Sequence, residues 1–181
     1  GTGKTRKDVT IEVNIPAGVD DGSVINVRGQ GNPGENGGPD GNLFVIVSVA
    51  PHKLFKRNNL DLELEIPITF AQAALGADVV IPTMEEKVSY KVPAGTQPGT
   101  VFRLKGKGVK SPNTGITGDL YVKVVLEVPR NLTESQKKLI QEFEDGSTAE
   151  MYTKKKSFGE IVRELFTDAE KKAERKKKKK K

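Results

Sequence analysis

The chain has 181 residues, 35% hydrophobic and 6% aromatic, with no Cys, no Trp, a single His, and 30 Lys+Arg against 24 Asp+Glu for a formal net charge of +6. That size allows one or two small domains; without Cys there is no disulfide, thiolate nucleophile or sulfur-bound zinc, and one His rules out an all-histidine metal site, so a metalloenzyme is nearly excluded. The longest apolar run, residues 43–47, is far short of the roughly 18 residues a membrane helix needs, and no charged-then-apolar leader opens the chain; the expectation is a soluble, cytoplasmic protein.

The charge is lopsided. Residues 171–181 hold 9 basic residues and one acidic residue, leaving 21 basic and 23 acidic residues in positions 1–170. The excess is therefore a C-terminal block, Arg175 and Lys176 to Lys181, expected to be a solvated, disordered end. Attraction of this tail to RNA, as in a nucleic-acid or ribosome-associated protein, is the rival functional class.

In chain order, Val9, Ile11, Val13 and Ile15 alternate with polar residues, predicting a half-buried strand that Pro16 and Gly18 stop. Residues 24–27 read as a second strand, residues 29–41 as a long glycine-rich loop, and residues 43–49 as a buried strand. Residues 60–68 alternate again, with Pro67 marking an edge or strand end. Thr69 and Gln72 make a capping box for a short helix ending at Gly76, and residues 78–82 and 88–92 read as the arms of a hairpin. After Pro129, Thr133 with Gln136 opens an amphipathic helix over 133–145, with Leu139, Ile140 and Phe143 on one stripe. Residues 146–156 read as a linker, and a second helix is predicted from Ser157, with Phe158, Ile161, Val162, Leu165 and Phe166 at helical spacing. Helices this short need an apolar partner surface, on the adjacent subdomain or on another chain.

The most informative feature is an internal repeat at a constant offset of 77. Pro16-Ala17-Gly18 matches Pro93-Ala94-Gly95, Gly22 matches Gly99, Gly29-x-Gly31 matches Gly106-x-Gly108, and Gly41-Asn42-Leu43-Phe44-Val45 matches Gly118-Asp119-Leu120-Tyr121-Val122. Glycines recurring at a fixed offset imply the same turns used twice, so two homologous β subdomains stand in tandem. Residues 60–87 have no counterpart before the first copy, and the repeat alone predicts that half of the first subdomain lies upstream.

Single motifs carry little. Gly1-Thr2-Gly3-Lys4-Thr5 looks like the end of a phosphate-binding loop, but Arg6, Lys7 and a period-two segment follow where a helix should start. Gly29-Gln-Gly31-Asn-Pro-Gly34 fits G-x-G-x-x-G without a helix after it. His52 is the one candidate general base of its kind, and its setting between Pro51 and Lys53 favours a structural loop role; Asp20-Asp21-Gly22 lacks calcium-loop spacing and suits a turn. No enzyme emerges. Sheet edges with apolar faces, open to an extended peptide by strand addition, are what remains.

Together, Pro16-Ala17-Gly18, Gly29-x-Gly31, Gly41-Asn42-Leu43, His52-x-x-Phe55-x-Arg57, Ala74-Leu75-Gly76, Val80-Ile81-Pro82-Thr83, Pro93-Ala94-Gly95-Thr96-Gln97, Gly106-Lys107-Gly108 and Gly118-Asp119-Leu120 closely resemble the C-terminal substrate-binding region of DnaJ chaperones, the forty-kilodalton heat-shock class, over about residues 1–145. The resemblance implies a mainly β chain of two tandem β-barrel-like or sandwich subdomains with a short helix, followed by C-terminal helices. It divides the sequence into a remnant of the zinc-finger end (1–10), the C-terminal part of subdomain I (11–50), subdomain II (51–129), a dimerisation region (130–150), and a helix with a lysine-rich tail (151–181). It further implies a groove for apolar segments of unfolded proteins drawing on Ile11, Val13, Leu43 and Val45, a homodimer through Leu139, Ile140 and Phe143, and, in the full-length context, delivery of clients to a DnaK-type ATPase. Zinc would belong only to an upstream finger, and the H-P-D triad of the J domain is absent from this sequence, so the chain itself is expected to hold no cofactor. It departs from the family pattern in a turn two residues shorter after Arg57, Asn58-Asn59-Leu60, and in the loss of a turn glycine near Glu86.

Overall fold

A computed structural model describes residues 8–34 and 37–178. They fall into two compact units, Gly1–Val128 and Pro129–Lys181. The first is mainly β. Antiparallel strands β1 (Val24–Val27) and β2 (Leu43–Ile46) form a small sheet. Strands β3 (Phe55–Asn58), β4 (Asp61–Thr69), β7 (Val101–Leu104) and β8 (Leu120–Glu127) form a second sheet in the order β3-β4-β8-β7, with β4 and β8 parallel. Strands β5 (Ala77–Pro82) and β6 (Lys87–Val92) make the expected hairpin. Among the described residues no sheet closes on itself: the four-stranded sheet ends at β3 and β7, so the barrel-like part of the expectation gives way to open sheets.

Alternation in β4 does what its pattern predicts. Leu62, Leu64, Ile66 and Ile68 are buried while Glu63, Glu65 and Pro67 are exposed. Parallel pairing sets Leu62 against Leu120, Leu64 against Val122 and Ile66 against Val124, and each such aliphatic side chain contributes about 1.5–3 kcal/mol by leaving water. β3 pairs only with Asp61 to Leu64, so Pro67 lies where β4 has no neighbour on that side and its missing N–H costs no ladder bond. The short turn after Arg57 closes β3 onto β4 through Asn59, whose φ of 55° an asparagine tolerates better than most residues. Helix α1 (Phe70–Leu75) opens on the capping box, in which Thr69 Oγ1 accepts from Gln72 N and Gln72 Oε1 accepts from Thr69 N, and stops at Gly76, φ 80°.

The repeat recurs in its turn and ladder bonds. Gly22 N donates to Val47 O (2.9 Å) as Gly99 N does to Val124 O (2.8 Å); Val47 N donates to Ser23 O as Val124 N does to Thr100 O; Gly31 N donates to Gly41 O as Gly108 N does to Gly118 O. Gly29 N reaches Asn42 Oδ1, and its counterpart Gly106 N reaches Asp119 Oδ1. The glycines at 18, 22 and 29 and their partners at 95, 99 and 106 all adopt positive φ, a conformation that a Cβ disfavours.

Two expectations are corrected. Residues 9–15 alternate between half-buried and exposed from Ile11 to Asn14, yet they form no strand. Alternation assigns faces, but a ladder needs a neighbour, and no described residue supplies one; the counterpart segment in the second repeat is β6, which β5 pairs. In the second unit, α2 (Glu134–Asp145) begins at the Thr133 box as expected, whereas α3 starts at Thr153 rather than Ser157 and runs to Lys178, into the stretch expected to be disordered. Ala, Glu, Lys and Arg dominate residues 169–178, and all are strong helix formers. A single 3₁₀ turn, Ala149–Met151, occupies the predicted linker.

Candidate functional site

The site begins with one edge of β2. Val47 exchanges main-chain bonds with Gly22 and Ser23 on the β1 side, and strand alternation turns the main-chain groups of Leu43 and Val45 the same way and those of Asn42, Phe44 and Ile46 toward the opposite edge. In β8 that opposite edge is occupied by β4; in β2 no described residue occupies it. Side chains add an apolar character to the edge: Leu43 and Val45 lie half-buried on one face of the sheet, and Phe44 (62% exposed) and Ile46 (73%) lie on the other.

Of the four predicted groove residues, Leu43 and Val45 share a strand face. Ile11 and Val13 are half-buried on the extended segment before Pro16, and no main-chain bond joins that segment to β2 among the described residues. Their counterparts at the offset of 77, Val88 and Tyr90, sit on β6 and pack against the core of the second repeat. Sequence reasoning missed Phe44 and Ile46, because residues 43–47 are apolar at every position and a run without alternation does not say which residues face out.

Where the repeats meet, Arg57 on β3 donates to Val19 O (2.8 Å) and Gly18 O (3.0 Å) and pairs with Asp20. Gly18 packs against the carbonyl of Lys110, where a Cβ would collide. Beside this junction opens a cleft of about 1040 Å³ lined by Ile15, Val49, Phe55, Met84 and Val109 among others. His52, at its rim, accepts through Nδ1 from Leu54 N (3.1 Å) and Phe55 N (3.2 Å) and lies beside the Phe55 ring, the structural loop role its sequence setting suggested. Asp20 and Asp21 serve a turn: Asp20 O accepts from Ser23 N, and Asp21 Oδ1 from Val49 N. The phosphate-loop resemblance falls on residues 1–5, outside the described residues, as do residues 1–7 of the segment assigned to the zinc-finger remnant and Lys179 to Lys181.

The strongest electrostatic feature belongs to the second repeat. Asp119 is buried, and the Gly106 amide, followed by the Arg103 guanidinium (2.6 Å), holds its carboxyl below the ordinary aspartate range against the opposing effect of burial. Asp61 Oδ1 in turn accepts from Asp119 N at 2.7 Å. Ion pairing likewise lowers Glu65 beside Lys123 and Glu86 beside Lys107. Among the described residues no cluster of three or more His, Asp or Glu is placed to hold a metal, and no helix is long and apolar enough to cross a membrane. On α2, Leu139, Ile140 and Phe143 are all exposed, at 65%, 50% and 44%, and the helix has no buried residue.

Comparison with known proteins agrees with this architecture. Residues 2–129 match the family model described as the DnaJ C terminal domain. The chain is 50% identical over 162 residues to a protein named "Chaperone protein DnaJ" from Clostridioides difficile (strain 630), covering 90% of this chain and 42% of the relative. It is 49% identical over 168 residues to one of the same name from Neisseria meningitidis (92% and 45%) and 48% identical over 158 residues to one from Acetivibrio thermocellus (87% and 41%). The chain thus spans less than half the length of these relatives.

Proposed function

The chain belongs to the DnaJ C-terminal domain family, and on that premise we propose that it is the client-holding part of a co-chaperone: it binds exposed apolar segments of unfolded proteins, suppresses their aggregation without ATP, and in a full-length protein passes them to a DnaK-type ATPase in the cytoplasm. The observation that carries the reading is the edge of β2 that no described residue pairs, with Phe44 and Ile46 exposed on one face and Leu43 and Val45 half-buried on the other. An extended client supplies there the hydrogen bonds and apolar surface that a sheet edge lacks. Ile11 and Val13 complete the proposed groove. Leu139, Ile140 and Phe143 on α2 are proposed to join two copies, and two weak client sites on one dimer gain avidity for a single unfolded chain.

The test is light scattering from a chemically denatured client with and without the chain. Protection without nucleotide is expected, and it should be lost in the Ile11→Asp, Val45→Asp double variant if that variant keeps its circular dichroism. Full protection by a folded double variant would remove the groove from the proposal. The lysine tail gains nothing from the family match, which ends at residue 129; deleting residues 176–181 should leave client protection intact.

A further inference from the structure

Helix α3 carries two features that the proposed holding function does not use. The first is an apolar stripe: Phe158, Ile161, Val162, Leu165 and Phe166 recur at spacings of three and four and so share one side of the helix. Phe158 (68%) and Phe166 (69%) stand exposed, as do Ile161 and Leu165 between them, so the stripe has no cover among the described residues. Glu160 and Glu164 fall on the opposite side, while Lys154, one turn before Phe158, continues the stripe's own side with a positive charge. The second feature is the basic block. Nine of residues 171–181 are Lys or Arg and one is acidic, and the helical backbone runs into them as far as Lys178. The family match ends at residue 129, before either feature.

A covering partner has to bury the stripe and neutralise the block at once. A second α3 fails on charge, because paired helices set one basic block against the other when parallel and against Lys154 to Lys156 when antiparallel. A nucleic acid answers the block through its phosphates and leaves the phenyl rings in water. An anionic lipid surface meets both demands: its headgroups attract the lysines, and the acyl boundary takes up the apolar side of a helix lying in the plane. The helix would lie on the bilayer, since no helix among the described residues is long and apolar enough to cross one.

We propose that α3 is a peripheral membrane anchor, seated lengthwise in the interface of an anionic bilayer with Phe158, Ile161, Leu165 and Phe166 turned into the lipid and the basic block held at the headgroups. The proposal is independent of the client-holding reading; together they put the holding unit at a membrane surface.

The test is co-sedimentation of the 181-residue chain with vesicles of phosphatidylcholine containing about one third phosphatidylglycerol, at physiological salt, against vesicles of phosphatidylcholine alone. Saturable binding to the anionic vesicles is expected, about tenfold or more tighter than to the neutral ones. Phe158→Gln with Phe166→Gln keeps every charge, and deletion of residues 176–181 keeps the stripe; each should weaken binding about tenfold or more, because stable attachment takes both signals. Both phenylalanines are exposed, so the double variant should keep the parent's circular dichroism and melting. Phe166→Trp adds a reading that needs no loss of binding: the chain has no other Trp, and the indole emission should shift to the blue on the anionic vesicles. Failure of the parent to bind these vesicles, or an unshifted indole, would overturn the proposal. Equal binding by the double phenylalanine variant would also overturn it, leaving charge attraction alone. So would a dimer that dissociates in the double variant without lipid, which gives the stripe to a second copy, or binding of polyuridylate that is tighter than that of vesicles and ignores the phenylalanines, which gives the block to nucleic acid.

Discussion

The two repeats use the same turns and the same ladder, and they differ in what lies on one side of their last strand. In the second, β4 lies along β8 and Leu120 and Val122 are completely buried. In the first, the counterparts Leu43 and Val45 remain half-buried and the next residues out, Phe44 and Ile46, stand in solvent. Turn chemistry is thus written into each repeat separately, whereas burial depends on a neighbouring strand. A fold can repeat its frame faithfully while the burial of each copy depends on the strand that lies beside it.

That contrast can be broken by paired substitutions. Leu120→Ala should destabilise the chain by ~2–5 kcal/mol, the range for a cavity in a close-packed core, while Leu43→Ala should cost ~1 kcal/mol, in line with partial burial; urea denaturation followed by circular dichroism measures both, and equal costs would mean that the repeats are equally closed. Next in size, Gly118→Ala should cost on the order of 1–3 kcal/mol because main chain, not a flexible side chain, blocks the new methyl, whereas Gly41→Ala should fall within about 0.5 kcal/mol of the parent.

Acid should act on the second repeat through Asp119. The folded state holds Asp119 below its ordinary range, so its contribution is complete above the unfolded aspartate pKa and disappears as pH falls through the lower folded value. Stability followed by urea melts across acidic pH should decline over that window in the parent and decline less in Asp119→Asn. Asn42 holds the matching position in the first repeat and does not titrate. A small, local effect is expected at the junction: Arg57→Lys keeps the charge but cannot reproduce the fork that reaches Gly18, Val19 and Asp20 together, for a cost of about 1 kcal/mol, visible as faster hydrogen exchange in β1 and β2 with β4 and β8 unchanged.

The sequence was most legible where local geometry is strict. Glycines needing positive φ, two threonine capping boxes, the alternation of β4 and the tandem repeat all carry over into the structure, and together they resembled the family that the comparisons identify. It was least legible where structure depends on partners distant in the chain. Nothing local to Leu60 or Leu120 announces that β4 and β8 pair in parallel, and the alternation of residues 9–15 looks the same whether or not a neighbour is present to make it a strand. The edge of β2 was half visible: Leu43 and Val45 follow from the family alignment, while Phe44 and Ile46 emerge only when the register of β1 with β2 fixes which groups point outward.

The tie at Arg57 also sets an order of events. A two-stranded sheet on its own is marginal in water, and β1 with β2 is secured by an arginine that belongs to the strand after it. On a ribosome the first repeat emerges earlier but waits for the second: the distance from Ala50 to Glu127 is 77 residues, about 4–15 s of synthesis at about 5–20 residues per second. For that interval β1 and β2 lack the completed sheet on which Arg57 stands.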